Sequence, residues 1–122
     1  MMNDFVISFS LGDAKYFTAL RLAVGGVCAA ADLDIDSAED FKVCVTESCL
    51  MLKNCGFGKA RVTLRTSQGV GAEICGEDAG ELGEGENEIS LMLISALVSS
   101  CDIEKCGKAI SKVVLKGIPF QR

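Results

Sequence analysis

An α+β fold, with a mostly antiparallel sheet and helices on one face, is what this sequence predicts, from three observations. Segments of period two open the chain, occupy its middle and close it. Two long segments of helical period lie between the first strand and the second, and a third helix precedes the last strand. No linker or internal repeat divides the 122 residues, so one domain over 1–122 is expected.

Each element has a local reason. Residues 4–10, DFVISFS, place Phe5, Ile7 and Phe9 on one face of a half-buried strand. Gly12-Asp13 offers a turn and a helix N-cap. From Ala14 to Ala31 the residues Phe17, Leu20, Val24, Val27 and Cys28 recur at helical spacing. Gly25-Gly26 inside that helix costs about 1 kcal/mol per glycine, so close packing on another element is expected there. Asp36-Ser37-Ala38-Glu39 reads as a capping box, and a second helix over 37–54 carries Phe41, Val45 and Leu52. Cys55-Gly56-Phe57-Gly58 stops it.

Residues 60–66, ARVTLRT, alternate as a strand, and a turn at Ser67–Gly69 leads to another near 71–75. Residues 76–88, GEDAGELGEGENE, are acidic and glycine-rich, and read as a loop. A third helix over 89–100 puts Ile89, Met92, Leu93, Ala96 and Leu97 on one face. Asp102–Lys108 reads as a turn, and a final strand over 109–116 ends before Pro119.

Composition narrows the function. The chain is 49% hydrophobic, with six Phe, one Tyr and no Trp, so an aliphatic core is available. A net charge of −5 with no basic stripe argues against nucleic acid as partner. Lys59–Arg61–Arg65 and Lys105–Lys108–Lys112–Lys116 are spaced as solvated strand or loop faces. Seven cysteines without a CxxC pair, and with no histidine, support neither a zinc ribbon nor a thioredoxin-type motif. Cys28, Cys44, Cys49 and Cys75 lie in apolar runs, as small buried hydrophobes. The opening MMNDFVISFS lacks the pattern of a secretory signal, and no run approaches the ~20 apolar residues of a membrane span. A cytoplasmic protein is expected.

The element order, together with ALRLAVGGVCAAADLDIDSAEDFKVCVTES (19–48) and EICGEDAGEL (73–82), resembles the anti-sigma-factor serine kinases of the histidine-kinase-like ATPase superfamily. The resemblance covers almost the whole chain. It implies a two-layer α/β sandwich that holds ATP between helices and sheet. In that family the second helix carries a Glu that activates the attacking hydroxyl and, four residues on, an Asn that binds magnesium. Glu47 matches the first, as the remnant of a catalytic base, and Met51 stands at the second. Magnesium is a hard cation that takes oxygen ligands, and a thioether is soft.

Asp78 and Gly80 match the family's Asp-x-Gly adenine loop, whose next glycine is here Leu82, with Gly83 one residue late. The family's glycine-rich helix start falls on Glu88-Ile89-Ser90-Leu91, and only 81–87 remain for its lid. The resemblance therefore implies a degenerate member without cofactor or metal. Such a protein would act by binding a sigma factor or an anti-sigma-factor antagonist, with Arg21 on the first helix as contact residue. A homodimer is expected from the family's habit and from the apolar first strand. The alternative is an active ATP-dependent serine kinase that phosphorylates an anti-sigma-factor antagonist, with magnesium held only by phosphates and water. A third idea is a redox sensor using Cys101 and Cys106. Plainer roles stand beside these: a solvated helix carboxylate for Glu47, a surface turn for Asp78-x-Gly80, an exposed cation for Arg21.

Overall fold

The computed structural model describes residues 4–67, 69–98 and 100–118. Their elements are β1 (Asp4–Ser10), α1 (Ala14–Ala30), α2 (Ile35–Cys55), β2 (Phe57–Arg65), β3 (Val70–Ala79), α3 (Glu88–Leu97), β4 (Ser100–Cys106) and β5 (Ala109–Ile118). The strands form one five-stranded sheet in the order β1-β2-β3-β5-β4, with every pairing antiparallel. The class is α+β.

Alternation decides the layers. Along β2, Ala60, Val62 and Leu64 are buried while Lys59, Arg61 and Arg65 face solvent. Ala72 and Ile74 of β3 and Val113 and Leu115 of β5 join the same core. α2 lies over this central part of the sheet, with Phe41, Val45, Met51 and Leu52 turned inward. α1 packs beside it above β1, where the rings of Phe9 and Phe17 meet edge to face at 5.7 Å. α3 packs on the other side of α2, toward β4.

The uncovered face of the sheet is polar and internally paired. Its ion pairs run Asp4–Arg65, Arg65–Glu73, Glu73–Lys112 and Lys112–Glu104, so alternating charges cross all five strands. Arg61 adds a pair with Glu77 at 2.9 Å. Arg61, Arg65 and Lys112 on this face are thus matched by carboxylates. Lys112 has its pKa raised by its hydrogen bond to the Glu73 carboxylate and by the charges of Glu73 and Glu104.

The caps explain the helix bounds. Asp13 accepts from Lys15 N at 3.0 Å and starts α1, as expected. α2 begins earlier than the capping-box reading of Asp36–Glu39: its cap is Asp34, which accepts from Ser37 N at 3.2 Å. Gly56 ends it in the left-handed region at φ 109°. Gly25 has the expected packing reason, since a Cβ there would lie 3.0 Å from Cε of Lys42. Gly26 has no neighbour within 4 Å, and nothing in the structure explains it.

Several further expectations are corrected. β3 runs on through Ala79, so the loop occupies 80–87 rather than 76–88. Residues 100–106 form strand β4, not a turn over Asp102–Lys108: paired along β5, they need no alternation of their own at a sheet edge. The apolar stripe of α3 points outward, with Ile89 74%, Met92 70% and Leu93 41% exposed, while Ser90 and Ile94 are buried. That helix is apolar on every side, so its spacing fits two stripes and only contact with α2 selects one. Cys75 is half-buried on the polar face rather than in the core. The third helix ends at Leu97 rather than at 100: Val98 is already extended and Ser100 belongs to β4. The turn expected at 67–69 and the stop at Pro119 include Gln68 and Pro119, which lie outside the described residues.

Candidate functional site

Glu47 stands on α2 between the two other helices. Its Oε1 accepts a 2.6 Å hydrogen bond from Oγ of Ser90, in the first turn of α3. It also lines a groove of about 440 Å³ between α1 and α2, together with Thr18, Arg21, Leu22, Lys42 and Val43. Two residues singled out in the sequence, Glu47 and Arg21, therefore share one concavity. Lys42 in that groove is bound to Glu39 at 2.6 Å. The guanidinium of Arg21 reaches only Thr18 Oγ1 at 3.5 Å, and among the described residues it has no carboxylate partner.

Met51, one turn on from Glu47, is fully buried. Its thioether is part of the core, where a hard cation would find no oxygen ligand. Among the described residues no group of three or more His, Cys, Asp or Glu is placed to hold a metal ion.

Asp78 lies near the end of β3 at φ 56°, a left-handed conformation that Asp tolerates better than most residues. Its carboxylate lies against β2: a Cβ on Gly58 would come within 2.9 Å of Oδ2. The amide of Gly80 donates to the carbonyl of Gly56 at 2.9 Å. Asp78 thus lies beside Gly58 of β2 and Gly80 is bound to Gly56 at the end of α2, and neither lines the groove that Glu47 and Arg21 share. Leu82 packs against the core, and the amide of Gly83 donates to Cys55 O at 2.9 Å.

The segment 80–87 is consequently a strap tied to the end of α2. Cys55 Sγ donates to Glu84 O at 3.3 Å and accepts from Asn87 Nδ2 and Ile110 N, each at 3.4 Å. Asn54 Nδ2 reaches Asn87 Oδ1 at 3.2 Å and Glu86 O at 3.4 Å. Gly85, at φ 69°, passes so near Asn54 that a Cβ would sit 3.0 Å from its carbonyl oxygen. Sequence reasoning missed this arrangement, and no periodicity could have marked it, because its partners are polar and distant along the chain. Glu88 is exposed at the start of α3, where the helix dipole favours a negative charge.

Cys101 and Cys106 are not placed to pair with each other, and several other thiols are held protonated by burial. Burial raises the thiols of Cys44 and Cys49 to about 12, with Asp40, Cys101 and Glu47 adding to the effect at Cys44. Burial and Asp102 also raise Cys101. Cys101 and Cys106 lie five residues apart along β4, about 17 Å at strand rise, whereas a disulfide needs Cα atoms within about 7 Å.

Among the described residues no helix is long and apolar enough to cross a membrane. Compared with models of known protein families and with curated proteins, the chain matches none.

Proposed function

We propose that this chain is a regulatory binding protein with the two-layer architecture of the histidine-kinase-like ATPases, a degenerate relative of the anti-sigma-factor serine kinases. It acts by docking a protein partner, a sigma factor or an anti-sigma-factor antagonist, with its nucleotide chemistry lost. The observation that carries the reading is Met51, buried in the core at the position where that family places its magnesium ligand. ATP and magnesium do not fit the residues present, because the thioether offers no oxygen and the strap is tied down beside α2.

The groove between α1 and α2 is the docking candidate. It combines Arg21, which has no carboxylate partner among the described residues, with the exposed Leu22 and Val43, so a partner segment with a carboxylate beside apolar side chains complements it. β1 supports a homodimer. It is an edge strand without lysine, proline or bulge, whereas the opposite edge, β4, carries Asp102, Glu104, Lys105 and a register shift.

Calorimetry with ATP and magnesium tests the reading. No heat of binding is expected up to about 1 mM, where a real site would still gain roughly 4 kcal/mol. Micromolar binding by the wild type would overturn it in favour of the ATP-dependent serine kinase.

A further inference from the structure

We propose that the end of α2, Asn54-Cys55-Gly56, is a latch that holds the 80–87 strap shut and so positions α3 against Glu47. The strap is the whole covalent connection between β3 and α3, and its hydrogen bonds converge on those three residues. Gly56 O takes the amide of Gly80, and Cys55 O takes the amide of Gly83. Cys55 Sγ both donates, to Glu84 O, and accepts, from Asn87 Nδ2 and Ile110 N. A thiol fills this double role at sulfur distances, in a site where Cys55 is 1% exposed. Gly56 and Gly85 leave no room for side chains, since a Cβ on Gly56 would collide with the backbone of Glu81.

Asn87 couples the latch to α3. It is the N-cap position of that helix, yet its side chain makes no cap bond. Its amide nitrogen turns to Cys55 Sγ and Glu84 O, and its amide oxygen accepts from Asn54. Three residues later comes Ser90, on Glu47. Opening the latch therefore frees the start of α3, and with it the exposed Ile89, Met92 and Leu93. The strap is a cooperative unit that opens without the core, as local unfolding does in weakly packed polar segments. This proposal does not depend on the functional reading above.

Native-state hydrogen exchange on the wild type, Asn87→Ala and Asn54→Ala tests it, with iodoacetamide labelling of the thiols alongside. In the wild type, the amides of Gly80 and Gly83 should exchange at least tenfold faster than Val62 in the sheet. In both variants these two amides and the labelling of Cys55 should accelerate by about tenfold more. Val62 exchange and Cys49 labelling should change by less than twofold. Strap amides as slow as Val62 in the wild type would overturn the proposal, even if both variants failed to fold. So would variants in which strap and core accelerate together, or in which the strap is unmoved.

Discussion

The Ser90 hydroxyl donates a 2.6 Å hydrogen bond to the Glu47 carboxylate and so joins α3 to α2 across 43 positions of sequence. Ser90 is 8% exposed, and Glu47 is only partly shielded. Charge-assisted O–H···O bonds of this length are at the strong end, though solvent at Glu47 weakens it.

The two residues should therefore be energetically coupled. Ser90→Ala and Glu47→Gln are each expected to cost about 0.5–1.5 kcal/mol, and a double-mutant cycle in urea to give a coupling of at least about 0.5 kcal/mol. Strictly additive effects would mean that the contact contributes nothing.

Met51 should behave as a core residue. Met51→Leu is expected to cost less than about 1.5 kcal/mol, whereas Met51→Asn should cost about 2–4 kcal/mol by burying an unpaired amide. Thermal unfolding of both variants checks the order. An Asn variant as stable as wild type would show that this position can reach solvent.

Stability should fall in alkali. Cys44 and Cys49 have folded pKa values near 12 against an ordinary 9.0, so both thiols stay protonated in the fold while the unfolded chain loses their protons. Their contribution is complete below pH 9 and is lost as pH rises from there toward 12. The slope is up to about 1.4 kcal/mol per pH unit for each thiol. Urea midpoints at pH 8 and pH 10, in the presence of reductant, should show the drop, and Cys49→Ala should reduce its slope. A flat profile would contradict the burial.

The charged face of the sheet should respond to salt. Glu73 accepts pairs from Arg65 and Lys112, so Glu73→Lys places three cations side by side on the neighbouring strands β2, β3 and β5. The variant should be less stable at low ionic strength, and the difference should shrink at 1 M salt, where the Debye length is about 3 Å. A loss insensitive to salt would point to packing rather than charge.

The proposed pairing of β1 predicts a particle of about twice 12.9 kDa in light scattering at micromolar concentration. Val6→Pro removes a main-chain donor from the edge strand and should favour the monomer. A wild-type monomer over the whole range would remove the dimer from the reading.

The sequence by itself determined the elements whose cause is local. β2 was legible because its alternation is clean, and α2 because apolar residues recur along it between an acidic start and Gly56. Glu47 could be placed on α2 for the same reason. Tertiary structure decided what no window of neighbouring residues contains. β4, SCDIEKC, has little pattern of its own and is a strand because β5 pairs with it. α3 could have buried either of two apolar stripes, and the contact with Glu47 turned Ser90 and Ile94 inward. The strap reads as a free acidic loop, yet Cys55 holds it through Glu84 and Asn87, 29 and 32 positions away. Periodicity reports which residues seek burial. Hydrogen bonds between distant polar groups depend on where folding brings them, and leave no period to read.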